Sequence, residues 1–178
     1  MSTKQKSDAA DKIPFPSRGS SPFGRDTQAI FWNNHQTAIQ RMLDYDTLIG
    51  RDLPSVAAIV SPTGSSRFGK FFFGTSEILI PIYKCTSHAV AEQGHADVLL
   101  NFASFRRAYR ITSEVLEIPG IRTIMITAEG IPERHARALK IRARELDKLL
   151  IGPSTVGAIT PGSFKIANIG GTIENIIA

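Results

Sequence analysis

The stretch from Ile121 to Gly152 constrains the fold more than any other part of the chain. It opens with an apolar run around Ile124–Ile126, which is typical of a strand buried on both faces of a parallel sheet. Gly130 then allows a sharp turn, and Pro132 suits a first helical turn because its fixed φ is already helical. A basic helix follows, and the apolar run Leu149–Ile151 predicts a second strand. Units of this kind place ligands at the carboxyl ends of strands, beside helix N-termini.

The same alternation of strand and helix signals runs through the preceding part of the chain. Apolar runs predict strands at residues 29–32, 55–60, 78–82 and 97–102. Helices are predicted between them, the first capped by Asn34 or Thr37 and the last capped by Ser104 and ending near Leu116. Pro81 suggests that the third strand ends or lies at an edge. The alternation predicts an α/β fold in which a Rossmann-like parallel sheet carries helices on both faces.

The two ends of the chain differ from this regular middle. Residues 1–26 contain Ser, Lys, Pro and Gly with few apolar residues, which predicts a disordered tail. Residues 27–151 form the predicted Rossmann-like domain. Residues 152–178 are rich in turn formers and predict a Gly/Pro-rich connection, which we expect to lead toward a downstream domain that this sequence does not contain.

Composition narrows the class of partner. The 178 residues carry a net charge of +5, which favours an anionic partner such as nucleic acid, an acidic membrane surface or a phosphorylated cofactor. No apolar run approaches the ~20 residues of a membrane span, so we expect no membrane association. Cys85 is the only cysteine, which excludes an internal disulfide and a cysteine metal cluster and fits a cytoplasmic setting. The four histidines have no metal-ligand spacing, so no metal site is predicted.

Two predicted strand ends are candidate ligand sites. The polar turn Asn33–Gln36 follows the first strand, where nucleotide-binding sheets hold phosphates, although the usual glycine fingerprint is missing and an ordinary strand–helix connection explains the turn equally well. The segment Asn101–Tyr109 follows a buried strand and opens a helix. Its arginines Arg106 and Arg107 can each bind a phosphate through two hydrogen bonds. They also oppose the helix dipole, which favours a functional role over a merely solvated helix start.

Two single residues and one helix face are further candidates. Lys70 follows a Gly-Ser loop and can reach an anion, but the loop lacks the Ser or Thr of a Walker A motif, so an exposed lysine is the simpler interpretation. Glu129 lies at a strand-end turn, where it can orient a ligand or cap the next helix. The basic face of the helix after Pro132 is more often a solvated surface than a nucleic-acid site.

Seven stretches carry a recognisable pattern: Arg41–Asp46, Pro54–Ile59, Glu77–Pro81, Asn101–Arg106, Ala128–Glu133, Ile151–Gly157 and Phe164–Ile173. Together, in this order and over roughly residues 27–178, they resemble the CoA-binding region of ATP-citrate lyase. The Glu-Gly-Ile-Pro turn and the Gly-Pro loop are shared with the α-subunit of succinyl-CoA synthetase, which carries Asn-Cys-Pro-Gly where this chain has Ser154-Thr155-Val156-Gly157. The matching region begins close to the N-terminus of this chain. This resembles the two-subunit form of the enzyme, in which the CoA-binding domain opens one subunit.

The resemblance implies a CoA-binding module of an enzyme that converts ATP, citrate and CoA into acetyl-CoA, oxaloacetate, ADP and phosphate. Asn33 stands where close relatives often have Gly, so this sequence departs from the family pattern in the first turn. By motif, the implied CoA contacts are Asn33, His35, Gln36, Lys70, Phe102, Ala103, Ser104, Arg106, Arg107, Ala128, Glu129 and Gly130.

The same resemblance implies that the catalytic groups lie elsewhere. The family's phosphorylated histidine lies in a Gly-His-Ala-Gly loop, which this sequence lacks, so no catalytic residue is predicted and the chain is not expected to catalyse the reaction alone. ATP and Mg²⁺ are implied only in the complete enzyme, whose ATP-grasp and citrate-synthase-like parts are the expected partners in a hetero-oligomer. The alternatives are a citryl-CoA or succinyl-CoA synthetase subunit, a stand-alone CoA-binding module and, more weakly, a nucleic-acid binder.

Overall fold

The computed structural model describes residues 21–170, so the first twenty residues of the predicted tail and residues 171–178 of the predicted connection lie outside it. The elements, in chain order, are β1 (Ala29–Trp32), α1 (Gln36–Leu48), β2 (Val56–Val60), β3 (Phe68–Phe73), β4 (Ser76–Tyr83), α2 (Thr86–Glu92), β5 (Val98–Asn101), α3 (Phe105–Leu116), β6 (Thr123–Ile126), α4 (Glu133–Glu145), β7 (Leu149–Ile151), β8 (Gly157–Thr160) and β9 (Phe164–Ala167).

Seven of the strands form one sheet in the order β3-β4-β2-β1-β5-β6-β7. Neighbours pair in parallel except β3 and β4, which form an antiparallel hairpin at one edge. Gly74, at φ +61°, supplies the left-handed conformation that the tight β3–β4 turn requires. Pro81 lies inside β4 rather than at its end, and it is tolerated because the parallel pairing with β2 begins only at Ile82. The predicted α/β fold with a mainly parallel, Rossmann-like sheet is confirmed.

Helices cover both faces of this sheet, as predicted. Alternate residues of β1 divide between two cores because successive side chains of a strand point to opposite faces. Ala29 and Phe31 pack in the core beneath α1, whereas Ile30 and Trp32 pack in the core beneath α2, α3 and α4. All four residues are buried, which explains why the strand reads as a continuous apolar run.

The hairpin of β8 and β9 packs against α1, on the face of the seven-stranded sheet that α1 covers. Phe164 and Ile166 of β9 are fully buried there, and the ring centroid of Phe23 lies 5.3 Å from that of Phe164. Packed residues are therefore found before Thr27 and after Ile151, the two boundaries predicted from composition. The apolar residues that cause this packing are spaced among Gly, Pro and Ser, which is why composition alone did not indicate it.

The exposed edge of the sheet at β3 is partly closed by α1. The side-chain amide of Gln40 donates to the carbonyl oxygen of Phe72 at 2.8 Å, and its oxygen accepts from the Phe72 N–H at 3.0 Å. These two bonds satisfy backbone groups that an edge strand otherwise leaves open. The contact fixes α1 against the hairpin.

A buried ion pair lies at the amino-terminal edge of the sheet, where the parallel strands begin. Asp46 accepts a hydrogen bond from the Ser55 N–H at 2.7 Å, and its other oxygen lies 3.4 Å from Nε of Arg51. Arg51 also donates to the carbonyl oxygens of Thr27 and Ser163, at 2.8 and 2.9 Å. Burial raises the pKa of the Asp46 carboxyl, and the hydrogen bonds from Ser55 and the charge of Arg51 oppose that rise. The network joins the end of α1 to the residues just before β1, β2 and β9, at a place remote from the carboxyl ends of the strands.

Within residues 21–170, no helix is both long and apolar enough to cross a bilayer.

Candidate functional site at the carboxyl ends of the strands

The strand order creates a topological switch point between β1 and β5. From β1 the chain moves to β2 and β4 on one side, and then returns to β5 on the other side of β1. The connections that leave β1 and β5 therefore diverge. We call the place between them, at the carboxyl edge where α/β sheets generally bind ligands, the crevice. The crevice floor is closed by a hydrogen bond of 3.0 Å from the Phe102 N–H to the carbonyl oxygen of Trp32.

The turn after β1 forms one wall of this crevice. Asn33 has a φ of +84°, a left-handed conformation that asparagine tolerates better than most residues do. Its side-chain oxygen accepts from the Asn34 N–H at 3.1 Å. The prediction that Asn34 or Thr37 caps α1 is wrong. His35 caps this helix, because its Nδ1 accepts from the Ala38 N–H at 3.3 Å.

Phe102 links this wall to the one opposite. Its ring centroid lies 4.7 Å from that of His35 and 5.2 Å from that of Phe31. Its carbonyl oxygen accepts a 3.3 Å hydrogen bond from Nδ2 of Asn33. The two predicted contact segments after β1 and β5 are therefore in direct contact with each other.

The segment after β5 brings a helix N-terminus and two cations to the crevice. Ser104 occupies the N-cap position of α3, as predicted, but its hydroxyl forms no capping hydrogen bond. Arg106 and Arg107 lie in the first turn of α3, are exposed and form no ion pair within residues 21–170. The guanidinium carbon of Arg106 lies 5.6 Å from the ring centroid of Phe105. Because the first N–H groups of a helix lack intrahelical acceptors, this end of α3 is suited to bind an anion.

The turn after β6 lies beside the segment after β5, because β5 and β6 are neighbours. Ala128 is half-buried, and its carbonyl oxygen accepts from the Ser154 N–H at 3.1 Å. Glu129 and Gly130 are exposed. Gly130 has a φ of +75°, and the space where a side chain would project is empty, so a ligand can approach its backbone.

Lys70 is placed apart from these three segments. It lies on β3, three strands away from β1, which corresponds to about 14 Å at the usual spacing of strands. Its ammonium nitrogen is 3.3 Å from a carboxylate oxygen of Glu77, and both side chains are exposed. Lys70 and Gln36 line one cavity of about 470 Å³ between β3 and the start of α1. This cavity connects Lys70 with the turn after β1, whereas no contact links it to Arg106 or Arg107.

Asn101, at the end of β5, opens the candidate segment Asn101–Tyr109 but is not among the predicted contact residues. It is fully buried, and its carboxamide bonds to the loop and to the helix that follow it. A polar residue at the end of the otherwise apolar run of β5 is the sequence signal that marks it.

Gly152 is a second residue that is absent from the predicted contacts but shapes this edge of the sheet. A Cβ atom at this position would lie 2.5 Å from the carbonyl oxygen of Ile126. Only glycine fits this approach of the Gly-Pro loop to the end of β6.

No grouping of three or more His, Cys, Asp or Glu side chains suited to a metal ion occurs among residues 21–170. The near match to the Gly-His-Ala-Gly motif, Gly94-His95-Ala96, is followed by Asp97 and lies between α2 and β5. This is the amino-terminal edge of the sheet, opposite the crevice. The crevice itself offers the backbone N–H groups at the start of α3 and the guanidinium groups of Arg106 and Arg107. These groups are suited to bind and orient an anionic ligand.

Comparisons with known proteins agree with this architecture. No protein-family model matches the chain. It is 47% identical over 156 residues to the probable ATP-citrate synthase subunit 1 of Schizosaccharomyces pombe, covering 88% of this chain and 25% of that protein. It is 49% identical over 155 residues to the ATP-citrate synthase beta chain protein 1 of Arabidopsis thaliana, covering 87% of this chain and 25% of that protein.

A solved structure gives the same result. The ATP citrate lyase of Methanothrix soehngenii, in complex with citrate and coenzyme A, matches with a TM-score of 0.84 and 46% identity, over 89% of this chain and 26% of that one. The resemblance seen in the sequence motifs is thereby confirmed. The chain spans about a quarter of the length of these relatives, and over that quarter it is a homologue of the ATP-citrate synthase (ATP citrate lyase) family.

Proposed function

We propose that this chain is the CoA-binding part of an ATP-citrate lyase and that CoA binds in the crevice between β1 and β5. The observation that carries the proposal is the convergence of three predicted contact segments at the carboxyl ends of adjacent strands. The fold is shared with a citrate lyase whose structure contains coenzyme A. The position of the three segments and the ligand of the related structure both support CoA as the ligand of this site.

The charges of the crevice fit the phosphates of CoA. The N-terminus of α3 offers backbone N–H groups and a positive partial charge, and Arg106 and Arg107 add two guanidinium groups that have no carboxylate partner among residues 21–170. Arginine binds phosphate through two parallel hydrogen bonds, which fixes the ligand as well as attracting it. Lys70, at the cavity beside Gln36, is suited to bind a second and more distant phosphate of the same extended ligand.

The role of this chain in the reaction is then to hold and orient CoA. In the proposed enzyme, ATP and Mg²⁺ bind elsewhere, and the phosphorylated histidine belongs to another segment, since the Gly-His-Ala-Gly motif does not occur in the 178 residues. The partners are the ATP-grasp and citrate-synthase-like parts, contributed by another subunit or by further domains in a hetero-oligomer. The name "beta chain" of a close relative supports a separate partner subunit. A cytoplasmic location is part of the same proposal.

Calorimetry with CoA and dephospho-CoA tests the site. We expect Arg106→Ala to weaken CoA binding by roughly 10- to 100-fold, because a hydrogen bond to a charged group contributes about 1.5–3 kcal/mol. Arg107→Ala is the second choice. Arg110→Ala is the matched control, since this arginine lies one turn further along α3 and pairs with Glu114 at 2.5 Å. Its substitution should change CoA affinity less than about threefold.

These measurements test two things separately: whether the chain binds CoA, and whether CoA binds at Arg106 and Arg107. If the folded parent does not bind CoA at millimolar concentration, the proposal that this chain is a CoA-binding part is wrong. If the parent binds CoA but neither Arg106→Ala nor Arg107→Ala weakens binding more than Arg110→Ala does, CoA binds elsewhere on the chain. Incubation with labelled ATP, citrate and CoA should yield no phosphorylated histidine on this chain.

A further inference from the structure

Asn101 is a fully buried polar side chain with three hydrogen bonds. Its oxygen accepts from the Ala103 N–H at 3.0 Å, and its amide nitrogen donates to the carbonyl oxygen of Ala108 at 3.1 Å and to the hydroxyl of Thr112 at 3.0 Å. Since the Ala103 N–H can only donate and the Ala108 carbonyl can only accept, these partners determine the orientation of the carboxamide. The side chain therefore joins the loop after β5 to the first two turns of α3.

The backbone of Asn101 extends the same connection to the next strand. Its carbonyl oxygen accepts two hydrogen bonds from Thr127, one from the backbone N–H at 3.2 Å and one from the hydroxyl at 3.1 Å. Thr127 immediately precedes the turn of Ala128 and Glu129. One buried residue thus bonds to both of the segments that we propose to contact CoA on this side of the crevice.

The start of α3 shows why this connection matters for a ligand. An N-cap serine normally fixes the helix start by accepting a hydrogen bond from an N–H of the first turn. Ser104 forms no such bond, and the bonds from Asn101 hold the helix start from the core side instead. The exposed Ser104 hydroxyl and the N–H groups of Phe105 and Arg106, which precede the first intrahelical bonds of α3, therefore remain available to a ligand.

We propose that Asn101 is a positioning residue for CoA. It does not touch the ligand, but its carboxamide holds the loop 102–104 and the N-terminus of α3 in the arrangement that directs Arg106 at a CoA phosphate. This inference depends on the proposed function, because it assigns to Asn101 the geometry of that same site. A buried amide that served only stability would leave the affinity for CoA unchanged in a folded variant.

Asn101→Asp is the most informative substitution. The aspartate keeps the acceptor for the Ala103 N–H, but as a carboxylate it places an oxygen against the Ala108 carbonyl where the amide donated. Burial raises the pKa of such a carboxyl, and its protonated form regains one donor. We expect CoA affinity at pH 8 to fall roughly tenfold, as for the loss of one hydrogen bond, and to recover toward that of the parent at pH 5.5. The parent, measured at both values, corrects for other titrating groups.

The fluorescence of Trp32 offers an independent readout. It is the single tryptophan of the chain, it lies at the end of β1, and its carbonyl oxygen accepts from the Phe102 N–H. We expect CoA to change its emission in the parent and the change to require roughly tenfold more CoA in Asn101→Asp at pH 8. Thr112→Val removes one of the three bonds at nearly constant volume. It should weaken binding less, by roughly threefold, and it keeps the test open if Asn101→Asp does not fold.

Asp46→Asn is the matched control, because Asp46 is an equally buried polar residue at the opposite edge of the sheet. It should lower stability and leave CoA affinity within about threefold of the parent. Equal weakening in Asp46→Asn and Asn101→Asp would overturn the positioning role, as would parent-like affinity in both Asn101→Asp and Thr112→Val. If the parent binds CoA and Arg106→Ala weakens that binding, either of these two results rejects the positioning role of Asn101 and leaves the proposed function standing. If the parent does not bind, both proposals fail.

Discussion

The side-chain nitrogen of Asn33 donates a 3.3 Å hydrogen bond to the carbonyl oxygen of Phe102, across the point where the connections of β1 and β5 diverge. Asn33 adopts a φ of +84°, which most residues with a Cβ atom avoid. The bond to Phe102 and the bond to the Asn34 N–H offset part of this backbone cost. Asparagine is thereby accommodated in a backbone conformation that favours glycine.

Substitution of Asn33 tests this explanation. Asn33→Ala retains the unfavourable φ and loses both side-chain hydrogen bonds, so we expect the free energy of unfolding to fall by about 1–2 kcal/mol. Asn33→Gly loses the same bonds but adopts the positive φ without steric cost, so it should lose less stability. Urea denaturation of the three proteins measures the difference. Equal stability of the alanine and glycine variants would contradict the role of backbone conformation.

Glu129 should affect CoA differently from the arginines. Its carboxylate is exposed on the turn after β6, beside the proposed site of an anionic ligand. We expect Glu129→Gln to change CoA affinity less than about threefold, and to strengthen it if anything, because the substitution removes a like charge. Calorimetry measures the change in CoA affinity, and a comparison of low with moderate salt shows how much of that change is electrostatic. A tenfold loss would instead identify Glu129 as a direct ligand contact.

Gly152 should tolerate no side chain. Its φ is +93°, and a Cβ atom would lie 2.5 Å from the backbone oxygen of Ile126, so Gly152→Ala combines backbone strain with a steric clash. We expect a loss of about 2–4 kcal/mol in the free energy of unfolding. Gly50→Ala is the control, because Gly50 has a φ of +65° with no atom near the position of a Cβ. It should cost only about 1–2 kcal/mol, as backbone strain alone does.

The buried pair of Asp46 and Arg51 should dominate stability at the amino-terminal edge. Asp46→Ala leaves the guanidinium of Arg51 buried without its carboxylate, and we expect a loss of about 3–5 kcal/mol. Chemical denaturation of Asp46→Ala, Arg51→Met and the double variant forms a cycle. The double variant should lose less than the sum of the single losses, since it removes both charges together. Additive losses would show that the two side chains are not coupled.

The contact between α3 and α4 should depend on pH. Glu117 accepts hydrogen bonds from Arg142 at 2.7 and 2.8 Å, and these bonds lower the pKa of the Glu117 carboxyl. A carboxyl with a lowered folded-state pKa stabilises the protein above the ordinary glutamate value of about 4.3, and that stabilisation is lost as the pH falls through the folded-state pKa. Glu117→Gln should therefore be less stable than the parent at pH 7, and the difference should shrink in acid. A constant difference would exclude this linkage.

Local sequence patterns predicted most elements of the fold. Ala29–Trp32 forms the strand that its apolar run indicates, and the predicted end of α3 at Leu116 agrees with the structure. The sequence pattern does not predict strand β3, since Phe68, Lys70 and Phe72 are exposed and the strand depends on pairing with β4. The capping of α1 by His35 depends on a side-chain geometry that residue preferences do not contain.

The amino-acid sequence by itself determined the fold class, the strand ends that carry the candidate residues and the resemblance to ATP-citrate lyase, because hydrophobic period, turn residues and motifs are local properties. Tertiary structure decided which strand ends meet. It placed β5 beside β1 rather than beside β4, brought Phe102 against Asn33 and His35, and left Lys70 on a distant strand. It also buried Asn101 between two loops. These relationships arise from pairing between residues far apart in the chain, whose free energy depends on the assembled core and not on any local segment.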